Sequence, residues 1–132
     1  MTIKRIRPEG LVHSPAFSHV AIVPAGATTI YVGGQNSVAA DGSLVGANYV
    51  AAQSVRALAN VKIALAAAGA SLQDVVQWTV LFVDGVDLAA AYQAIGSELA
   101  SDEPALVTSA RVAGLGVPGA LVEIGAVAAV VR

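Results

Sequence analysis

A long apolar stretch near the C-terminus constrains this chain more than any other feature. From Val112 to Val131 the sequence reads VAGLGVPGALVEIGAVAAVV, and Glu123 is its single charged residue. The part from Ala120 to Val131 is rich in Val, Ile, Leu and Ala, which predicts a strand buried on both faces. A carboxylate in such a strand is strongly disfavoured unless a partner or a chemical role compensates for its burial. Glu123 is therefore the first candidate for a catalytic residue.

The composition predicts one domain, residues 1–132, that associates with copies of itself. A chain of 132 residues can build a substantial core. Hydrophobic residues make up 56% of it, which is more apolar surface than one small domain buries easily. We therefore predict an oligomer with an apolar interface, and burial within the domain core is the alternative. No apolar run in the sequence reaches the length of a membrane span, so no membrane partner is expected.

Charge and cysteine content exclude several classes of function. The net charge of −2 does not favour nucleic acid as a partner. Lys4, Arg5 and Arg7 form a basic cluster that we interpret as a solvated N-terminal segment. The absence of cysteine excludes disulfides, thiolate catalysis and cysteine zinc sites. The N-terminus does not read as a signal peptide, so a cytoplasmic location is expected.

Residue patterns predict two helices among five strands, the order of a two-layer α+β domain. Capping residues support the boundaries: Asp87 is a candidate N-cap, Ser71 to Asp74 resemble a capping box, and Gly69 is a helix stop. Apolar residues at Val55, Leu58, Val61 and Leu65 recur at helical spacing. The first predicted strand is Thr28–Val32, which Asn36–Ala40 extends up to a turn at Asp41-Gly42. The other predicted strands are Val75–Val83, Ser109–Val112 and Ala120–Val131, and the predicted helices are Tyr49–Ala68 and Leu88–Leu99.

Gly33, Gly34 and Gln35 follow the first predicted strand and form a candidate binding turn. Glycines at a strand end allow a ligand to approach the backbone, whose N–H groups can then face an anion or a carbonyl. A β-bulge is the alternative interpretation, and the commoner one for isolated strand glycines. The segment is not a dinucleotide-binding motif, because no helix follows it directly.

Two histidines and one arginine are further candidates. His13 and His19 lie in one N-terminal loop and could act as acid or base, but no third ligand stands at a recognisable spacing, so we expect no metal. Arg111 could hold a carboxylate, although an outward-facing strand residue or an interface ion pair is the preferred interpretation. Phe17 lies beside His19 and could line a pocket.

Several of these segments together resemble the Rid family, the YjgF-like reactive intermediate deaminases that are also labelled endoribonuclease L-PSP. The segments are GGQ after an early strand, the helix region NVKIALAAAGASLQDVV, the strand TVLFVDG, the loop at Pro104-Ala105, and the ending ALVEIGAVAAV. The resemblance extends from about Leu11 to Val131 and is most specific in the helix and GGQ segments.

The resemblance implies a fold, an assembly and an activity. The fold is chorismate-mutase-like, with a mixed sheet packed by two helices. The assembly is a homotrimer whose sheets form a central barrel, with sites for a small-molecule substrate between subunits. The implied activity is hydrolysis of enamines and imines, such as 2-aminoacrylate, to 2-keto acids and ammonia, without a cofactor.

The family's site residues match this sequence only in part. The late-strand glutamate that positions water matches Glu123. The Ser-Gly-Gln motif matches Gly33 to Gln35, with glycine in place of serine, and the loop tyrosine matches Phe17, which lacks the hydroxyl.

Two polar residues of the family pattern are absent. The family's carboxylate-binding arginine follows Pro-Ala, whereas here Leu106 and Val107 follow. The helix asparagine is replaced by Tyr92. Arg111, about 13 Å along the strand from Val107, is a poor substitute for the missing arginine.

Three functions remain open from the sequence. The first is an enamine or imine hydrolase with altered substrate preference, in which Glu123 activates water and the Gly34 N–H orients the substrate. The second is a non-catalytic module that binds a small apolar or neutral molecule. The third, ribonuclease activity, is disfavoured by the acidic balance and the lack of a basic groove.

Overall fold

A computed structural model, which describes residues 2–132, shows the predicted α+β architecture. The elements are β1 Lys4–Ile6, β2 Val20–Ile22, β3 Thr28–Gln35, α1 Val50–Ala67, a short 3-10 turn Leu72–Asp74, β4 Val75–Val83, α2 Leu88–Leu99, β5 Leu106–Val112 and β6 Val122–Val130. The two helices cover one face of a four-stranded mixed sheet whose strand order is β3-β6-β4-β5. Strands β4 and β5 are parallel and the other pairs are antiparallel.

The C-terminal strand β6 is buried on one face and half-buried on the other. Val122, Ile124 and Ala126 alternate toward the helices and lie in the core. Glu123 and Val127 point to the opposite face and remain partly accessible. The prediction of a strand buried on both faces is thus wrong for the single chain, because both helices pack on the same side of the sheet. We call the uncovered side the open face.

Helix α1 buries its predicted stripe except at its first member. Leu58, Val61 and Leu65 are fully buried, whereas Val55 is 46% exposed. Gln53 is buried in its place: its side chain donates to two backbone carbonyls and accepts from the Leu121 N–H at 2.8 Å. Three hydrogen bonds compensate the amide for its burial, so a polar residue occupies a core position of α1.

Helix α2 and the last loop follow the predicted boundaries closely. The Asp87 side chain accepts from the Ala90 N–H at 3.1 Å, which confirms the predicted N-cap. The capping box at Ser71 and Asp74 is also present. Strand β5 begins three residues before the predicted Ser109, because it gains parallel pairing with β4 from Leu106 onward.

The N-terminal segment differs most from its prediction. Strands β1 and β2 pair with each other, and both were missed. Arg5 donates to the carbonyls of Gln73 and Val75, so the basic cluster is not simply solvated: this arginine fastens the N-terminal strand to the start of β4. The predicted extension Asn36–Ala40 is reduced to a single bridge between Val38 and Leu44. No helix in residues 2–132 is long and apolar enough to cross a membrane.

Candidate active site

The two glycines of the candidate binding turn form a bulge in β3. Val32 pairs with Ala126 and Gln35 pairs with Ile124, so Gly33 and Gly34 together oppose one residue of β6. This is the two-against-one arrangement of a β-bulge, which redirects the backbone locally and loosens the hydrogen-bond ladder. The bulge lies immediately beside Glu123, so the β-bulge interpretation is confirmed and the binding role of the glycines stays a prediction.

Gly34 approaches the carboxylate of Glu123 more closely than any other residue type could. A Cβ atom at position 34 would lie 2.6 Å from Cδ and 2.9 Å from Cγ of Glu123. The φ angle of Gly34 is not positive, so the glycine is required by space and not by backbone conformation. At Gly33, by contrast, a Cβ would meet nothing within 4 Å, which leaves room for the serine of the family pattern.

Glu123 projects from the open face without a cationic partner. It pairs across the sheet with Leu81 of β4, whose side chain lies on the same face. The ion pair found among residues 2–132 joins Lys62 and Glu98, so no cation of that range neutralises Glu123. A half-buried carboxylate beside a backbone bulge is free to hold a water molecule or a polar ligand.

The side chain of Gln35 bonds to the backbone of the bulge. Its side-chain amide donates to the carbonyl of Gly33 at 3.1 Å, across the bulge. This bond holds the turn in shape, so Gln35 supports the bulge in addition to ending β3.

A second group of candidate residues surrounds an apolar cleft of about 570 Å³ between α2, β5 and the N-terminal loop. Phe17 and Val107 form part of its wall, and the backbone N–H of Ser18 bonds to the carbonyl of Ala105 at 3.2 Å, which fixes the loop against β5. We call this the α2–β5 cleft. Its lining residues are Pro15, Ala16, Phe17, Tyr92, Gly96, Leu99, Ala100, Val107 and Ser109.

Leu106 and Arg111 lie on opposite faces of β5. Leu106 pairs with Gln77 and therefore faces the open side, as Glu123 does. Arg111 pairs with Phe82 on the helix side and donates to the carbonyl of Val86 at 3.3 Å. It is exposed, in agreement with the preferred interpretation from sequence.

Within one chain, the bulge with Glu123 lies apart from the candidate residues at the α2–β5 cleft and the start of β5. Glu123 pairs with Leu81, whereas Leu106 pairs with Gln77, four residues away along β4. Four residues correspond to about 13 Å of strand. The single subunit therefore brings Gly34 to Glu123, and Phe17 to Val107, but does not join the two groups.

His19 is held within the N-terminal loop by two contacts. The His19 ring contacts Phe17 edge-on at 5.4 Å between centroids, and its Nε2 lies 2.8 Å from the carbonyl oxygen of Val12. No group of three possible metal-binding side chains occurs among residues 2–132. His19 thus supports the loop that carries Phe17.

Two contributors to the cleft were missed in the sequence. Tyr92, identified from the sequence only as the replacement of the family's helix asparagine, lines the cleft, and its hydroxyl bonds to Ser109 at 3.2 Å. Gly96 also lines the cleft, and a glycine in the middle of a predicted helix is an unfavourable choice that signals a need for space.

Comparisons with known proteins agree on the family. The sequence matches the family described as Endoribonuclease L-PSP over residues 11–130. The structure is similar to that of YyfB from Yersinia pestis, a member of the conserved Rid protein family of unknown function, with 34% identity, a TM-score of 0.83, and coverage of 97% of this chain and 98% of that one. A search of the curated proteins gives no match.

Two further solved structures extend the likeness. The YjgF gene product of E. coli is 30% identical, with a TM-score of 0.69 and coverage of 83% of this chain and 85% of that one. RidA from the Antarctic bacterium Psychrobacter sp. PAMC 21119 is 27% identical, with a TM-score of 0.68 and coverage of 97% and 98%. The chain belongs to the Rid/YjgF family, also described as endoribonuclease L-PSP.

Proposed function

We propose that this protein is an enamine and imine hydrolase of altered substrate preference, a deaminase acting on small reactive metabolites. In this reaction water adds to the imine carbon, the carbon–nitrogen bond breaks, and a carbonyl compound and ammonia leave. The observation that carries the proposal is the close approach of Gly34 to the unpaired Glu123 carboxylate.

Glu123 has the properties that a water-activating base requires. Its carboxylate lies on β6, which pairs with a strand on each side, is half-buried, and has no cationic partner among residues 2–132. A positioned carboxylate can accept a proton from the attacking water and return it to the leaving nitrogen. General acid–base catalysis of this kind typically contributes about 10²–10⁴-fold to a rate.

The bulge supplies a polar backbone next to that carboxylate. Gly33 and Gly34 fall between the paired positions of β3, so their N–H groups are candidates to orient a substrate nitrogen or oxygen. Glu123 itself fills the space beside Gly34, whereas a Cβ at Gly33 would meet nothing within 4 Å, so a substrate can approach the backbone of the bulge at Gly33.

A homotrimer with sites between subunits would join the two groups of candidate residues. The open face carries apolar groups that a single chain leaves accessible, and Tyr31 is 79% exposed there. Packing these faces together would hide apolar surface and would bring Glu123 of one subunit near Leu106 of another, at the start of the strand whose Val107 lines the α2–β5 cleft. The trimer accounts for the separation of about 13 Å along the strand within one chain.

The altered preference follows from what replaces the family's arginine. Leu106 and Val107 carry no charge, and Arg111 lies on the helix side with its guanidinium bound to the carbonyl of Val86. A substrate carboxylate would find no bidentate cation at that position. We therefore place 2-aminoacrylate among the poorer substrates, and we propose a cytoplasmic location.

The test is ammonia release from freshly generated 2-aminoacrylate and from bulkier imines. Wild type should accelerate at least one of them, and Glu123→Gln should abolish the acceleration. Glu9→Gln, in an exposed loop, is the matched control and should behave as wild type. Retained turnover by Glu123→Gln would remove the proposed role.

A mixing experiment tests the intersubunit site. Glu123→Gln subunits lack the base, and Val107→Arg subunits carry an arginine that fills the α2–β5 cleft, so we expect each to be inactive alone toward a neutral imine. They should regain activity when unfolded and refolded together, because some sites would then combine an intact glutamate with an intact cleft. If light scattering shows a monomer, or if mixing restores nothing, the site does not lie between subunits.

A binding module is the second candidate, favoured by the uncharged lining of the α2–β5 cleft. In that case Glu123 would be a hydrogen-bond acceptor for a ligand that leaves unchanged. A ligand that binds tightly, is recovered intact, and is not consumed in the presence of wild type would support this function over hydrolysis.

A further inference from the structure

The α2–β5 cleft combines a large volume with a lining that contains no ionised side chain. Its nine lining residues contribute apolar surface, two aromatic rings and two hydroxyl groups, those of Tyr92 and Ser109. Its volume of about 570 Å³ lies within the range of small-molecule sites. We infer that this cleft binds an uncharged, apolar molecule, aromatic or branched, and that the substrate is an imine or enamine without a carboxylate.

Gly96 indicates that the space in the cleft is maintained at a cost to the helix. It lies inside α2, where glycine is about 0.5–1 kcal/mol less favourable than alanine. No neighbour requires a glycine there, because a Cβ would meet nothing within 4 Å and its φ is not positive. The residue lines the cleft instead, so its missing side chain leaves volume open for a ligand.

The two hydroxyls provide a single polar point for recognition. Tyr92 Oη and Ser109 Oγ lie 3.2 Å apart, on facing sides of the cleft from α2 and β5. Two hydroxyls that bond to each other retain one proton and several lone pairs for a third partner. They can therefore bind one neutral oxygen or nitrogen of a ligand, but they offer no positive charge to a carboxylate.

The first residues of β5 also disfavour a ligand that carries a carboxylate. Val107 lines the cleft and Leu106 faces the other side, so neither face of this strand end presents a cation. A ligand carboxylate in the cleft would lose water without gaining an ionic partner, which is unfavourable. The same cleft gains free energy from each apolar group of the ligand that it removes from water.

The inference about the substrate rests on the proposed hydrolase function, whereas the inference about binding does not. A binding experiment therefore comes first, with a matched pair of stable probes. Cinnamamide and cinnamate have the same apolar body and differ in charge. Isothermal titration should show that cinnamamide binds at least about tenfold more tightly, a difference of about 1.4 kcal/mol.

Two variants connect the binding to the cleft. Gly96→Leu should fill the space and weaken cinnamamide at least about tenfold, since a side chain in a small-molecule site removes ligand contacts. Gln93→Leu adds the same residue to an exposed position of the same helix outside the cleft lining, and should bind as wild type. Circular dichroism establishes that both variants are folded.

Three outcomes would overturn the inference on binding: equal or tighter binding of cinnamate, undiminished binding by folded Gly96→Leu, or dissociation of the oligomer by Gly96→Leu, which would show that a second copy fills the cleft.

A turnover experiment then tests the substrate class by comparing benzophenone imine, which is neutral, with 2-aminoacrylate. Faster turnover of the neutral imine supports the substrate class, and faster turnover of 2-aminoacrylate overturns it. Selective cinnamamide binding without turnover of any imine would refute the hydrolase alone and leave the neutral-ligand site standing.

Discussion

Replacing Gly34 by alanine tests the geometry on which the proposed active site depends. The new Cβ would lie 2.6 Å from Cδ and 2.9 Å from Cγ of Glu123, distances that real Cβ atoms do not tolerate. Because the clash involves Cγ as well as the carboxylate, a rotation of the carboxylate alone does not relieve it. Glu123 must therefore move as a whole or the bulge must shift.

Gly34→Ala should affect stability and reaction rate to different extents. Overpacking typically costs about 1–3 kcal/mol, and we expect the lower end here because Glu123 is half-buried and can turn toward solvent. A displacement of about 1 Å in a catalytic group can cost about 10²-fold in rate. Gly34→Ala should therefore lose most of its activity while losing only about 1 kcal/mol of stability.

The assay is a double-mutant cycle of Gly34→Ala and Glu123→Ala, in which urea denaturation measures the stability of each variant. Imine turnover is measured for each single variant. If the clash is with Glu123, the destabilisation by Gly34→Ala disappears in the Glu123→Ala background, because the obstructing atoms are gone. Gly33→Ala is the matched control, since a Cβ there meets nothing within 4 Å. If Gly34→Ala and Gly33→Ala behave alike in both stability and turnover, the reasoning is refuted.

Three further predictions follow from the fold and its charges. Gln53→Ala should destabilise the protein by about 2–4 kcal/mol in urea unfolding, because a buried amide that satisfies three backbone groups is lost; Gln93→Ala, exposed on α2, is the control, and equal stability of the two variants would contradict the role of Gln53. The Ser43 hydroxyl and backbone N–H lower the pKa of Asp41 below its usual 3.8. The folded pKa is depressed, so the associated stability is present above the unfolded value and is lost as the pH falls through the folded one; an NMR titration should show the Asp41 pKa rising in Ser43→Ala, and an unchanged pKa would exclude the hydroxyl as the cause. Purified protein freed of contaminating nuclease should leave RNA intact, since a net charge of −2 does not favour binding of a polyanion; cleavage that co-purifies with the protein and is lost in Glu123→Gln would contradict this.

Much of the fold could be predicted because its signals are local. The β-branched and aromatic run of β4 and the Asp87 cap of α2 depend on neighbouring residues, and both boundaries agree with the structure. The parts that were missed depend on distant partners. Strand β5 starts early because of parallel pairing with β4, and the pair β1–β2 is fastened by Arg5 to carbonyls nearly 70 residues away.

The candidate site was predictable to a similar degree. Glu123 is conspicuous in sequence because it stands alone among apolar residues, and the glycine pair is conspicuous after a strand. Their contact is not local: it arises because β3 and β6 pair and because the bulge aligns Gly34 with Glu123. The roles of Tyr92 and Gly96 depend on how α2 packs over β5, which no local pattern specifies.

The measurement that tests the central claim most directly is kcat/KM for imine hydrolysis by wild type and Glu123→Gln, with the unfolding midpoint of each protein measured in parallel. The account predicts a decrease of about 10²–10⁴-fold in kcat/KM, with an unfolding midpoint close to that of wild type, because the amide keeps the shape of the carboxylate but cannot accept the proton from water. Equal kcat/KM in the two proteins would show that Glu123 does not activate water, and the proposed mechanism would then be wrong.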